Sequence, residues 1–305
     1  MKKALLIAGG GTLGSYTAEE LLRLGHKVDV ICLEDKKSDN GNLRYFKASA
    51  TLEYLEKLLS ENHYDGIVNF LHFKTVESYE PYHALLSKST EHLIFLSSYR
   101  VYADLEHPIT ENAPQLLDVI KDDERFLAIE DYALAKCRME RFLKDNPYPV
   151  NWTVVRPVIS FSERRFDILL HTDYTVIDAY KSGECVALPL EAKELTAGID
   201  WAGNSGKIIA NLLFKTECIG EAYTVSSAEN LTWGEVADMY TELLDVKFKW
   251  MPADFPRDDY RWYYDRAYNR KIDNRKMLKA TGLSKEDFTP VREGLKIELE
   301  KAGLV

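Results

Sequence analysis

With 305 residues, 46% of them hydrophobic and 29% charged, the chain holds enough apolar material for a sizeable core. It carries no low-complexity tract and no repeat period, which excludes a disordered chain or a repeat array. A formal charge of −10 opposes broad electrostatic binding to nucleic acid or anionic membrane, both of which are polyanions.

The opening "MKKALLIAGGG" has a basic start, but its apolar run is only five residues long before the glycines, too short for the core of a signal peptide. No later stretch reaches the ~20 apolar residues of a membrane span. Cys32, Cys137, Cys185 and Cys218 are far apart and show neither a C-x-x-C pair nor His-linked metal spacing. The expectation is a cytoplasmic protein with free thiols, no metal and no membrane partner.

The first elements form a β-α-β unit: an apolar strand over 4–8, a glycine turn, a helix from about Leu13 to Leu24, and a second strand over 28–33. Gly9, Gly11 and Gly14 satisfy G-x-G-x-x-G between strand and helix, with Thr12 and Leu13 inside the turn. Such glycines let the backbone approach a pyrophosphate, which then rests on the positive end of the helix. The acid expected near the end of the second strand has two candidates, Glu34 and Asp35; either accepts ribose hydroxyls and repels a 2′-phosphate. NAD is therefore favoured, while Lys36 and Lys37 keep NADP open.

"DGIVNFLHF" and "HLIFLSSYRVY" supply two further apolar strands of a buried parallel sheet. Ser97 and Ser98 stand where the run Leu93 to Leu96 ends, at the edge where such sheets bind ligands. In "DYALAKCRMERFL", residues 131–143, Tyr132 lies four positions before Lys136, so the two share one helical face. Ala135, Met139, Phe142 and Leu143 form a separate apolar stripe suited to core contact.

The succession of "GGGTLG", "SSYRVY" with "PITENAP", "YALAK" and "WTVVRP" resembles the extended branch of the short-chain dehydrogenase/reductase superfamily, the NAD-dependent epimerase/dehydratase family. The match in order and spacing covers about the first 160 residues and continues more loosely to the end. The resemblance implies an α/β protein: a Rossmann-type doubly wound parallel sheet with a smaller C-terminal substrate lobe. Residues 1–160 would form the nucleotide-binding part, 195–216 would return to it, and 161–305 would form the lobe. It implies a catalytic set of Ser98, Tyr132 and Lys136, with Tyr132 and Lys136 also on the cofactor, and a nucleotide-sugar-like substrate. It implies, further, a homodimer paired through the "YALAK" helix. Three departures point to altered packing of the cofactor: Ala8 stands at the family's first glycine, an Asp is missing from "YFKASAT", and "FLHF" is bulkier than the family's small residues.

A free tyrosine titrates near ~10, and neighbouring cations favour its phenolate, so Lys136 and a positive nicotinamide should draw Tyr132 toward neutrality. It would then act as general base on a substrate hydroxyl, with Ser98 on the same oxygen. Tyr99 and Arg100 follow Ser98 where the family's dehydratases carry an Asp-Glu pair, which points away from dehydration and leaves reduction and epimerisation open. Substrate contacts are expected from Ser98 and Tyr99, and from Arg164 and Arg165 as a bidentate clamp on a diphosphate. Asp200 is expected to cap a helix, and Thr232 with Glu235 to open another through a capping box. The segment "RDDYRWYYDRAYNRKIDNRKM" interleaves basic residues with Tyr260, Trp262, Tyr263, Tyr264 and Tyr268. That pattern supports an alternative in which a nucleic-acid-binding or regulatory protein keeps a dinucleotide pocket.

Overall fold

The computed structural model describes residues 1–129, 131–171 and 174–305. Its first half alternates strand and helix: β1 (Lys3–Ile7), α1 (Thr12–Arg23), β2 (Lys27–Cys32), β3 (Leu43–Lys47), α2 (Leu52–Glu61), β4 (Tyr64–Asn69), α3 (Val76–Leu86) and β5 (Thr90–Leu96). Two short helices, α4 (Leu116–Val119) and α5 (Glu124–Ala128), precede the long α6 (Tyr132–Asp145), which leads into β6 (Trp152–Pro157). The rest comprises β7 (Ile159–Phe161), α7 (Tyr174–Ser182), β8 (Cys185–Pro189), β9 (Ile199–Trp201), α8 (Ala202–Leu212), β10 (Ala222–Val225), α9 (Trp233–Leu244), β11 (Lys247–Met251), α10 (Arg275–Thr281) and α11 (Val291–Lys301).

Seven strands form one parallel sheet in the order β10-β6-β5-β4-β1-β2-β3. This is the Rossmann-type α/β arrangement. Helices cover both faces, so the central strands are mostly apolar: Leu5, Leu6 and Ile7, like Val28, Val30 and Ile31, are fully buried. The strand order reverses at β1, which pairs with β2 on one side and β4 on the other, and a ligand crevice opens at such a reversal.

Residues beyond β6 complete this sheet, because β10 pairs with β6 in parallel and α8 packs along α1. The two helices cross at close range: a side chain on Gly206 would overlap Tyr16 and the Thr17 backbone. Away from the main sheet, β8 and β11 form a two-stranded parallel pair beside α9, whose Trp233 and Tyr240 are buried. The expected capping box opens α9: the Thr232 N–H donates to Glu235 at 2.7 Å, and the Glu235 N–H to Thr232 Oγ1 at 3.2 Å. No described helix is long and apolar enough to cross a membrane.

Asp200 is not a helix cap. It lies in β9, and Trp201 occupies the N-cap of α8. The Asp200 carboxylate instead accepts the N–H groups of Trp201 at 2.7 Å and Ser227 at 2.5 Å and the Asn204 amide at 2.8 Å, tying three chain segments together. Its burial pushes the carboxyl up to about 6.

Candidate active site

The loops after β1, β4, β5 and β6 enclose a cavity of about 640 Å³ that runs from Gly11 and Gly14 past Phe70 to Ser98 and Tyr132. At one end the glycine turn is held by close packing. A side chain on Gly14 would overlap the Gly9 carbonyl, whereas Gly11 meets nothing within 4 Å. Ala8 takes a left-handed backbone (φ 55°), the conformation that favours glycine and costs an L-residue ~1–2 kcal/mol. Gly11 caps α1 without a side-chain hydrogen bond, so the first-turn N–H groups have no side-chain cap and face the cavity end.

The two acids after β2 part company. The strand ends at Cys32, Leu33 is 71% exposed, and the chain turns back so that the Glu34 carboxylate lies beside Gly10. Asp35 points elsewhere and meets Lys47 at 3.8 Å. Lys36 donates its ammonium to the Gly10 carbonyl at 2.7 Å.

At the other end, Asp131 N-caps α6 by accepting the Ala133 N–H at 2.7 Å, which places Tyr132 at the first helical position. The stripe of Ala135, Met139 and Leu143, with Phe142 half-buried, packs against Phe95 and Trp152 and fixes the helix. Tyr132 then lines the cavity at the end of β5, and Lys136 lies buried behind it: its Nζ lies 5.7 Å from the Tyr132 ring centre and donates to the Leu96 carbonyl at 2.6 Å. Ser98 lines the same wall, while the neighbouring Ser97 turns to Glu140.

The Tyr132 phenol is raised, opposite to the direction read from the sequence. Burial dominates, and the Ser98 hydroxyl and the Arg100 and Arg165 charges only partly offset it. Lys136 is likewise pushed down to about 8 by burial, with the Glu140 charge working against the fall. In the unfolded chain the same amine titrates at 10.5, so between about pH 8 and 10.5 the unfolded state binds more protons and stability rises with pH. We expect the urea midpoint of the wild type, measured against Lys136→Met, to gain on that variant between pH 7.5 and pH 10. A pH-independent difference would contradict the shift.

Beneath the site lies a buried ion pair. Arg156 on β6 donates to both Glu140 oxygens, at 3.0 and 2.6 Å, and Glu140 also accepts from Ser97 at 2.5 Å and Gln115 at 2.7 Å. The remaining Arg156 amine reaches Tyr102 and the Glu111 carbonyl, both at 2.9 Å.

Arg164 and Arg165 do not form a clamp. Arg165 lines the cavity and pairs with Asp167, whereas Arg164 lines a separate recess beside Gly10, because adjacent residues of this turn point apart. Tyr99 borders the cavity, but its phenol donates to the buried Asp265 at 3.1 Å and accepts from Arg266 at 2.8 Å. Arg261 and Arg266, which the motifs did not single out, and Arg100, which follows Tyr99 in the Ser98 motif, join Arg165 in the wall. Their convergence is tertiary, and the only sequence signal was the density of arginines in 257–275.

Three of the five aromatic residues of that segment, Tyr260, Trp262 and Tyr264, pack on other rings of the chain. Tyr264 lies 4.2 Å from Phe126 and Trp262 4.0 Å from Phe255, centre to centre, and Tyr263 alone of the five is exposed. Rings engaged in this way present no platform for bases. The bulky residues after β4 also reach the site: Phe70 lines the cavity, and the His72 ring lies 5.3 Å from that of Tyr132.

No family model and no curated protein matches the sequence. Solved structures do match. A UDP-glucose 4-epimerase from Thermus thermophilus, in complex with NAD, superposes with a TM-score of 0.70 over 99% of both chains at 18% identity. This chain shares its fold. A Thermotoga maritima UDP-glucose 4-epimerase with UDP-glucose gives 0.72 at 16% identity over 98% of this chain and 97% of that one. A Bacillus anthracis dTDP-glucose 4,6-dehydratase with NAD gives 0.72 at 17% identity, covering 98% and 96%.

Proposed function

We propose that the protein is an NAD-dependent oxidoreductase or epimerase that oxidises a carbinol, or reduces the matching ketone, on a nucleotide-sugar-like substrate. The observation that carries this reading is that Ser98 and Tyr132, with Lys136 buried behind the Tyr132 ring, stand at one end of a cavity whose other end is a glycine turn on a helix N-terminus. The Thermus and Thermotoga epimerases that share this fold were solved with NAD and with UDP-glucose, which supports the same cofactor and substrate class.

The residues present fit the cofactor. The cradle at Gly9, Gly11, Thr12, Leu13 and Gly14 would hold a pyrophosphate, with Glu34 beside Gly10 for the adenosine ribose and Lys136 for the nicotinamide ribose. Glu34 opposes a 2′-phosphate there, and Lys36, the nearby cation, is already engaged by a carbonyl. NAD is thus preferred to NADP. When bound, it supplies a hydride acceptor.

Ser98 would hydrogen-bond the substrate oxygen while Tyr132 removes its proton; in the reverse direction Tyr132 donates. Its raised phenol is protonated at neutral pH, ready for the reducing direction, and Arg100 and Arg165 supply the positive field that deprotonation needs. The two residues after Ser98 offer no base for water elimination, since Tyr99 is committed to Asp265 and Arg266 and Arg100 is a cation.

Native mass spectrometry tests the reading. We expect the mass of NAD on the purified chain, or on the chain after NAD is added, with NADP binding more weakly. Retention of NAD through purification indicates an epimerase, and binding only after addition a reductase. A chain that takes up neither dinucleotide would overturn the proposal.

A further inference from the structure

Four arginines and no acid line the cavity among the described residues, in a protein whose net charge is −10. Three are at least partly neutralised from behind: Arg266 meets Asp265 at 2.6 Å, Arg100 meets Asp265 at 3.0 Å, and Arg165 pairs with Asp167. Arg261 is different. It is half-buried, and among the described residues it has neither an ion-pair partner nor a side-chain hydrogen bond. Burial and the neighbouring Arg266 depress its basicity, as expected for a cation held among cations. A guanidinium held half out of water without a partner is costly, and an arriving anion would satisfy it.

The place of this charge says which anion. The Arg100 guanidinium carbon lies 5.5 Å from the Tyr132 ring centre, and the charges of Arg100 and Arg165 both act on the Tyr132 phenol. Arg100 and Arg165 therefore reach the reacting end of the cavity, and the Arg100 charge acts on Arg261 as well. A neutral sugar has no group to satisfy it. The diphosphate of a nucleotide sugar sits on the anomeric carbon, across the ring from a carbinol beside the exocyclic carbon. A carboxylate at that exocyclic carbon is one ring carbon from such a carbinol.

We propose that the substrate carries a carboxylate on the ring carbon beside the one that is oxidised, as in a nucleoside-diphosphate hexuronate, and that Arg261 holds it bidentately with Arg100 and Arg165 alongside. This rests on the functional reading above. It adds a substrate class and gives Arg261 the role of reading it.

The test measures binding by calorimetry to the full chain with NAD present, using UDP-hexuronate and the matching UDP-hexose, on the wild type, Arg261→Lys and Arg261→Gln. The wild type should bind the uronate about 10- to 100-fold more tightly, the value of hydrogen bonds to a charged group. Arg261→Gln should erase that preference by weakening the uronate far more than the hexose, and Arg261→Lys should keep part of it. Equal affinity for the two nucleotides would overturn the proposal, as would an equal loss of both in Arg261→Gln, which would assign Arg261 to their shared diphosphate. If neither nucleotide binds, the carboxylate proposal falls. NAD binding in the same cell reports separately on the functional reading, which falls only if NAD fails to bind as well.

Discussion

Replacing Tyr132 by Phe should lower the rate of the chemical step by about 10²- to 10⁴-fold, the usual worth of a positioned acid–base group, while NAD binding stays close to that of the wild type. The separation follows from the geometry. The ring itself packs against His72 at 5.3 Å and beneath Arg100 at 5.5 Å, contacts that phenylalanine retains, and only the hydroxyl facing Ser98 is lost. Single-turnover reduction of bound cofactor measures the step, and calorimetry measures the binding. Unchanged turnover in Tyr132→Phe would remove this residue from the mechanism. A parallel loss of NAD affinity would mean that the hydroxyl serves binding instead.

Glu140→Ala should cost about 3–5 kcal/mol of stability, because it strands the buried Arg156 without its partner. Total stabilities run at only about 5–15 kcal/mol, so this is a large fraction. Arg156 and Glu140 are 3% and 2% exposed, and the carboxylate also receives Ser97 and Gln115, so water has little access to replace what is lost. The contrasting variant carries Glu140→Leu with Arg156→Met, removing both charges together, and should unfold at a higher urea concentration than Glu140→Ala. The single change should also lower Lys136 further, since the Glu140 charge is what holds that amine up against burial. A single variant as stable as the wild type would show that the pair is not the support it resembles.

The β1-α1-β2 unit was legible because its signals are local: an apolar run, glycines at fixed offsets and a helical period all fall within thirty-odd residues. The same holds for α6, where a period of 3.6 separates the packed stripe from the face bearing Tyr132 and Lys136. Local spacing failed where a property depends on what surrounds a group. The spacing predicts a phenol lowered by Lys136 one turn away and by a positive nicotinamide, but in the chain itself burial outweighs nearby charge, and burial is not written in a four-residue spacing. Arg164 and Arg165 were paired because they are adjacent, yet the turn sends them into different recesses. The arginine wall draws on positions 100, 165, 261 and 266, which only the tertiary fold brings together.

The late arrival of β10 bears on how the chain is made. Strand β6 is buried along its full length, yet its outer edge is unpaired until β10 is laid beside it, after residues 158–221 have been synthesised. At ~5–20 residues per second that interval lasts several seconds, during which an apolar strand edge stays open to pairing with another chain. A fragment cut just after β6 would keep the glycine turn, Ser98, Tyr132 and Lys136, but it would carry that open edge permanently. The residues proposed for the chemistry are all made by residue 136; the seventh strand of their sheet is not complete until residue 225.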